Sequence, residues 1–196
     1  MPYPRLFEID DQPWYAHWSS SAHNTWELTA SRFPSRLRSC VQSVLTLAWN
    51  IRVPVFQRAS ASAHAGDILL RHIEDLSAHH IIDIAAGAGG PVPGIERRVN
   101  QVLEARDEEP VKFLLTDLHP HLRDWKRLKA SNQNIDFVEK PVDATAVRGL
   151  TNGKQKECRM FNLAFHHLDD QAASAALADA VENADAIVYV FWLTRW

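Results

Sequence analysis

Short apolar runs rich in β-branched residues alternate with segments of helical periodicity through the second half of the chain. The apolar runs are of strand length, and they predict strands at 79–84, 111–116, 135–139, 158–165 and 186–193. Between them, helices are predicted at 95–105, at 119–130 and in the alanine-rich segment 170–183. Strands that alternate with helices predict a mostly parallel sheet covered on both faces, which is an α/β fold.

The first part of the chain lacks this alternation. Apolar residues recur at helical spacing from residue 37 to 48, which predicts a helix that ends before Pro54. A second helix is predicted from about residue 60 to 76, with Ser62 as its N-cap. These segments indicate a helical cap in front of the α/β core.

Residues 6–14 mix aromatic side chains with prolines, and this composition favours an irregular arm over a strand. Such an arm either packs over the core or forms a lid over a substrate pocket, and the sequence leaves both interpretations open. We therefore expect an N-terminal arm and helical cap over residues 1–78 and an α/β core over residues 79–196, joined in one compact unit.

Composition narrows the class of protein. The formal net charge is −3 and no basic stripe is present, which argues against a nucleic-acid partner. Cys40 and Cys158 lie far apart without metal-ligand spacing, as is typical of reduced thiols inside a cell. The N-terminus lacks the apolar segment of a secretory signal, and no run has the length of a transmembrane helix. We expect a cytoplasmic protein without a membrane segment.

The first candidate for a ligand-binding segment is the turn Gly87-Ala88-Gly89-Gly90-Pro91, which follows the first core strand. Glycines let the backbone adopt conformations closed to other residues and let a ligand approach closely. A turn between strand and helix also presents backbone N–H groups at a helix N-terminus. The alternative interpretation is an ordinary tight loop. In a parallel sheet, ligands bind beyond the carboxyl ends of the strands where the winding reverses. The polar residues expected in that layer are Asp83, Asp117, Asp143, Asn162, His166 and His167.

The spacing Asp83-x-Ala85-x-Gly87-x-Gly89 resembles the first motif of class I S-adenosylmethionine-dependent methyltransferases, D/E-x-G-x-G-x-G, with Ala85 in place of the first glycine. The dinucleotide pattern G-x-G-x-x-G does not fit. The segments 5–14, 53–60 and 159–168 also resemble the small-molecule branch of these enzymes. The resemblance implies a Rossmann-like three-layer sandwich. Because the usual fold continues beyond a fifth strand, this chain resembles a member truncated after that strand.

The resemblance implies roles for residues in the strand-end layer. Asp83 would orient the glycine turn and meet the methionine amino group through water, while Ala85, Gly87 and Gly89 form the turn itself. Asp117 would accept hydrogen bonds from the ribose diol, or else it is only a helix cap before His119-Pro120. Asp143 with Ala144 would hold the adenine amino group, or Asp143 is an N-cap. Asn162 completes the set of cofactor-binding residues.

His166 and His167 are the candidate catalytic residues, since one of them can act as a general base or orient the substrate. Simple lining of the pocket is the alternative. A metal is not expected, because the pair lacks the i, i+4 spacing of zinc ligands and adjacent residues of a strand point to opposite faces.

The function implied by the resemblance is methyl transfer from S-adenosylmethionine to a small molecule, by in-line displacement at the sulfonium. The alternative is a non-catalytic methyltransferase-like protein that acts as a partner subunit. A nucleotide-dependent oxidoreductase is disfavoured by the spacing of the turn. The apolar run 186–193 would be an unpaired edge strand, which predicts a homodimer or a complex with a second chain. The residues expected at that contact are Tyr189, Phe191, Trp192 and Trp196, with Trp14 and Trp18 as a competing cover.

Overall fold

The computed structural model describes residues 5–7, 60–151, 153, 155–162 and 164–190. The strands are β1 (Arg5–Phe7), β2 (His79–Ile84), β3 (Lys112–Thr116), β4 (Ile135–Phe137), β5 (Lys156–Asn162) and β6 (Ala186–Val190). The helices are α1 (Ala61–His72), α2 (Val92–Glu104), α3 (Leu122–Ser131) and α4 (Asp170–Asn183). The predicted helix at 37–48, Cys40 and the aromatic residues Trp14, Trp18, Phe191, Trp192 and Trp196 lie outside the described residues.

The strands form one sheet in the order β1-β6-β5-β2-β3-β4, and each neighbouring pair is parallel. From β2 the chain winds outward through β3 to β4, then returns to the other side of β2 with β5 and β6. The winding direction therefore reverses between β2 and β5, and in sheets of this kind the crevice for a ligand lies at that point, beyond the carboxyl ends of the strands. This topology confirms the predicted Rossmann-like α/β architecture.

Each face of the sheet has its own apolar core, because successive strand residues point to opposite sides. On one side Ile81 and Phe113 pack with α1, α2 and α3, and on the other Ile82 and Phe161 pack with α4. The near-continuous apolar sequence of the central strands follows from this burial on both faces. Helices on both sides of the sheet give the three predicted layers.

The N-terminal arm differs from its prediction at one point. Arg5–Phe7 is a strand rather than part of an irregular arm, and it pairs in parallel with β6 from Ala186 to Val188. Three residues are too few to show strand periodicity in the sequence, but the edge of β6 offers free backbone hydrogen-bonding groups that favour such pairing. The premise that β6 would be an unpaired edge is therefore wrong, and the predicted association with a second chain rests on the sequence alone.

Several element boundaries also differ from their predictions. The N-cap of α1 is Ser60, whose Oγ accepts a hydrogen bond from the Ala63 N–H at 3.3 Å, whereas the predicted cap Ser62 is buried within the first turn. Strand β5 ends at Asn162, and a 3₁₀ turn, Phe165–His167, replaces the predicted end of that strand. The bounds of α4 confirm the predicted helix.

A buried ion-pair cluster joins α4 to the sheet. Arg159 on β5 is 1% exposed, and its Nη1 donates to Asp179 Oδ2 of α4 at 2.5 Å. Its Nε donates to Glu157 Oε1 at 2.8 Å, and its Nη2 donates to the Val147 carbonyl at 2.6 Å. The Val147 N–H in turn donates to Asp179 Oδ2 at 3.0 Å. Arg159 therefore holds the helix and the loop before β5.

A second polar cluster ties α2 to the segments that lead into β3 and β4. The buried carboxylate of Glu96 accepts hydrogen bonds from the side-chain amides of Asn100, Asn132 and Asn134. Asn100 also bonds the backbone of Val111. The Val111 N–H donates to Asn100 Oδ1 at 2.8 Å, and Asn100 Nδ2 donates to the Val111 carbonyl at 3.0 Å. These contacts fix the helix that begins at the glycine turn. Within the described part of the chain, no helix has the length and apolar character needed to cross a membrane.

Candidate cofactor-binding site

Asp83 and Asn162 face each other where the winding reverses, at the ends of β2 and β5. Asn162 Nδ2 donates to Asp83 Oδ1 at 2.8 Å. The carboxyl group of Asp83 is fully buried, and Thr116 on β3 donates its hydroxyl to the Asp83 carbonyl at 2.9 Å. The partner of this carboxyl group is therefore a side-chain amide from the adjacent strand β5.

The pair also carries two acceptors that the described residues leave unsatisfied. Asp83 Oδ2 and Asn162 Oδ1 are buried, and neither has a hydrogen-bond partner within that part of the chain. Burial raises the pKa of Asp83 well above its ordinary value, the hydrogen bond from Asn162 opposes this, and the charge of Asp117 adds to it. An unsatisfied buried acceptor is costly. Two of them in one crevice fit a ligand with several N–H donors, such as an ammonium group.

The glycine turn beside this pair has an unusual backbone. Positive φ angles occur at Ala85 (57°), Gly87 (53°), Gly89 (103°) and Gly90 (37°). At Gly89 a side chain is also excluded by space, because a Cβ atom there would lie 2.5 Å from Leu128 Cδ1 on α3. The sequence pattern therefore reflects both the left-handed backbone and the close packing of the turn on α3.

Backbone hydrogen bonds hold the turn in this shape. The Ala86 N–H donates to the Thr116 carbonyl at 2.9 Å, the Gly89 N–H to the Ala86 carbonyl at 2.8 Å, and the Val92 N–H to the Gly89 carbonyl at 3.1 Å. Helix α2 starts at Val92, directly after the turn. The N-terminus of α2 therefore lies beside the crevice, as the sequence predicted.

Ala85 should be a point of stored strain, because an L-residue in the left-handed region costs about 1–2 kcal/mol. We expect Ala85→Gly to raise the free energy of unfolding by about 0.5–1 kcal/mol, after the greater flexibility of glycine in the unfolded chain is subtracted. Chemical denaturation measures this difference. Ala88→Gly, in the same turn but without a positive φ, is the control and should be destabilising. A loss of stability in both variants would contradict the strain at Ala85.

Asp117 and Trp125 bind the two backbone groups of Gly87. Asp117 Oδ2 accepts from the Gly87 N–H at 2.8 Å, and Trp125 Nε1 donates to the Gly87 carbonyl at 2.9 Å. Asp117 Oδ1 accepts from the His119 N–H at 2.7 Å, so Asp117 caps the bend after β3 and not a helix, since the N-cap position of α3 is His121. Each carboxylate oxygen has a further lone pair. The ribose role therefore stays a prediction that is compatible with the cap.

The loop after β4 is joined to the loop after β3, because the Val142 N–H donates to the Asp117 carbonyl at 2.9 Å. The exposed Asp143 accepts from the backbone N–H and the hydroxyl of Thr145, at 2.9 and 2.8 Å. These two hydrogen bonds lower the pKa of Asp143. The described residues 144–151 contain no helix, so Asp143 caps a turn rather than a helix, while Ala144 packs against the core.

Leu118 is a site residue that sequence reasoning missed. It follows Asp117 directly and is 53% exposed, more than any other large apolar side chain among the described residues. A single leucine after a strand carries no periodic signal, and only the fold places it beside the crevice. Its exposed surface suits a flat apolar ring that lies between the ends of β3 and β4.

The two candidate histidines lie in the 3₁₀ turn Phe165–His167 that follows β5. The argument that they point to opposite faces of a strand is therefore wrong, because neither residue belongs to a strand. Phe165 anchors the turn, with its ring centroid 4.8 Å from that of Phe161 and 5.0 Å from that of Tyr189. His167 is exposed. Among the described residues, no group of three or more His, Cys, Asp or Glu side chains could hold a metal ion.

No family model and no curated protein matches this chain. Among solved structures, it is similar to a SAM-dependent methyltransferase from Aquifex aeolicus, at 17% identity and a TM-score of 0.42, over 62% of this chain and 58% of the other. It is also similar to an O-methyltransferase family protein from Burkholderia thailandensis, at 17% identity and a TM-score of 0.42, over 83% and 49% of the two chains. Coclaurine N-methyltransferase bound to N-methylheliamine and SAH is a third, at 12% identity and a TM-score of 0.45, over 85% and 52%. The matches thus span 58%, 49% and 52% of the length of these proteins, and the similarity does not by itself identify an activity.

Proposed function

We propose that this protein binds S-adenosylmethionine in the crevice between β2 and β5 and transfers its methyl group to a small molecule. The observation that carries the proposal is a pair of buried acceptors, Asp83 Oδ2 and Asn162 Oδ1, that no donor in the described residues satisfies, beside a glycine turn at the reversal of the winding. The α-amino group of S-adenosylmethionine supplies the N–H donors that these acceptors lack. The resemblance of the turn to the first methyltransferase motif supports the same ligand.

Other residues of the strand-end layer fit the remaining parts of this ligand. The negative side chain of Asp117 would accept hydrogen bonds from the ribose hydroxyls, and the exposed face of Leu118 would pack against the adenine. The loop at Asp143 and Ala144 would meet the adenine amino group. When bound, S-adenosylmethionine supplies an electrophilic methyl group on a sulfonium. The protein's part is to place the acceptor in line with it, which accounts for much of the rate in such displacements.

The acceptor is proposed to be a small molecule, since the net charge of −3 offers no basic field for nucleic acid. His166 or His167 would take a proton from the acceptor if one must leave, because both follow the end of β5 next to Asn162. The roles of His166 and His167 can be distinguished by replacing each with glutamine. A loss of methyl transfer in one variant, with unchanged cofactor affinity, would assign the base.

Calorimetric titration with S-adenosylmethionine, S-adenosylhomocysteine and NAD tests the proposal directly. We expect both sulfur ligands to bind and NAD to bind more weakly, since the turn lacks the G-x-G-x-x-G spacing. Tighter or equal binding of NAD would refute the proposal. A methyl-transfer assay on small-molecule extracts then separates a methyltransferase from a chain that binds the ligand without catalysis.

Asp117→Ala is expected to weaken S-adenosylhomocysteine binding by about tenfold to a hundredfold, because charge-assisted hydrogen bonds contribute about 1.5–3 kcal/mol. Since Asp117 also holds the Gly87 N–H, the variant alone does not separate the two roles. The 2′,3′-dideoxy analogue of the ligand separates them, because it lacks the hydroxyls. An equal loss of affinity for both ligands would show that Asp117 acts only by holding the turn.

A further inference from the structure

The glycine turn packs against helix α3, and the side chain of Trp125 makes the polar contact between them. Trp125 is fully buried, and its ring N–H donates to the Gly87 carbonyl at 2.9 Å. On the same helix, the Leu128 side chain occupies the space that a Cβ at Gly89 would need. Helix α3 thus contacts the turn through a hydrogen bond at Gly87 and through close packing at Gly89.

The hydrogen bond from Trp125 fixes a peptide that is already held on its other side. Asp117 binds the Gly87 N–H, so both polar backbone groups of Gly87 have side-chain partners, one directly after β3 and one on α3. With a φ of 53° and no side chain, Gly87 has little intrinsic preference for this conformation. The two side chains are therefore what selects one orientation of the peptide among those a glycine can adopt.

Trp125 also contacts the neighbouring strand end. Its ring centroid lies 5.9 Å from that of Phe137, the last residue of β4. The loop that carries Asp143 starts just beyond Phe137. A buried indole normally requires a partner for its N–H, and here the only polar group it reaches among the described residues belongs to the turn.

We propose that Trp125 is a positioning residue that presets the glycine turn for cofactor binding, an inference that rests on the proposed function of the crevice. Trp125 does not touch the ligand in this account. It keeps the Gly87 peptide in the orientation that the bound state requires, so the protein does not have to order the turn when the ligand arrives. Preorganisation of this kind increases affinity without adding a contact.

The test uses a replacement of Trp125 by 3-benzothienylalanine, a tryptophan isostere with sulfur in place of the ring N–H. The chain has 7 tryptophans, so the analogue is introduced at position 125 alone. Trp125→Phe is the second variant, and it removes the same donor with natural residues. We expect S-adenosylhomocysteine binding to weaken about tenfold in both, as loss of one hydrogen bond implies.

Amide hydrogen exchange supplies a readout that a general loss of stability would not reproduce. In the ligand-free variants, exchange should become about tenfold faster in the peptide that covers residues 85–92 and change little in β3 and β5. Val99→Ala is the control, because Val99 is buried in the same core but on the second turn of α2, away from Gly87. It should lower the melting temperature without changing either the affinity or the exchange of the turn.

The possible results separate this inference from the proposed function. Wild-type binding together with weaker binding and faster turn exchange in the isostere variant supports the role of Trp125. Wild-type binding with an isostere variant of equal affinity overturns it and leaves the proposed function intact. Absence of binding by the wild-type protein refutes the proposed function. If the wild type does not bind, unchanged exchange of residues 85–92 in the variants also overturns the positioning role of Trp125. Faster exchange there would still support the conclusion that Trp125 orders the turn.

Discussion

Arg159→Ala is expected to lower the free energy of unfolding by about 3–5 kcal/mol, because removal of one partner from a buried ion pair leaves an uncompensated charge. Asp179 is the charge left behind; it is almost as deeply buried as Arg159, and the cation that stays near it is the exposed Arg148, whose Nε lies 3.8 Å from Asp179 Oδ1. The variant also leaves the Val147 carbonyl without its donor. This loss is a large fraction of the stability of a typical domain, so we expect a variant that is partly unfolded at physiological temperature.

A double variant separates the ion pair from the volume of the side chain. Arg159→Met combined with Asp179→Leu removes both charges and retains apolar bulk, so it should be clearly more stable than Arg159→Met alone. Urea denaturation of the wild type, both single variants and the double variant measures the coupling free energy between the two side chains. Equal stability of the single and double variants would show that the Asp179 charge is not what makes Arg159 necessary.

Asp83→Asn is expected to weaken ligand binding but to stabilise the ligand-free protein. The asparagine cannot offer a charge to an ammonium group, so affinity for S-adenosylhomocysteine should fall about tenfold to a hundredfold. The ligand-free variant should nevertheless be more stable than the wild type near neutral pH. The reason is that burial disfavours the ionised form of Asp83, and Asn162 satisfies only one of its oxygens.

The dependence of this stability gain on pH follows from the direction of the pKa shift. The pKa of Asp83 is raised in the folded protein, so the folded state retains a proton that the unfolded chain has lost. Wild-type stability should therefore fall as the pH rises from the ordinary pKa of 3.8 up to the raised folded value, and then level off. The asparagine variant lacks this decline. Thermal melts of both proteins from about pH 4 to pH 8 should show a difference that grows with pH.

Asp179→Asn is the matched control, since Asp179 is also a buried carboxylate but is paired with Arg159 away from the crevice. It should lose stability and, while folded, retain its affinity for the ligand. A pH-independent stability difference for Asp83→Asn, or a loss of stability as in Asp179→Asn, would contradict the account of Asp83 as an uncompensated buried acid. Sites that bind ligands often retain such locally unfavourable groups.

The alternation of apolar runs with helical segments was sufficient to predict the parallel α/β sheet, because the period of side-chain burial depends on the local backbone geometry. The predicted limits of α4 match the structure, since a polar cap at Asp169 and a polar end at Asn183 mark them in the sequence. The glycine turn was also predictable. Its positive φ angles are a local requirement that only small residues meet readily.

Contacts between distant residues were not predictable in the same way. Asn162 bonds Asp83 across 79 positions, and Trp125 bonds Gly87 across 38. Nothing in the local pattern distinguishes Arg159, which holds α4, from a residue that faces a ligand. The 3₁₀ turn at His166 and His167 was missed because the apolar pattern of β5 continues past the point where its pairing with β6 ends.

The sequence by itself determined the elements, their order and the residues that the strand ends present, since all of these depend on short-range periodicity and on the conformational limits of glycine and proline. Only the tertiary structure decided that Arg5–Phe7 pairs with β6 at the edge of the sheet. It also decided that Asp83 and Asn162 meet and that each keeps a buried acceptor without a partner among the described residues. Strand pairing and the burial of polar atoms depend on which distant segments meet. The segments pair in the arrangement that minimises the free energy of the whole chain, and no single segment carries a signature of that arrangement.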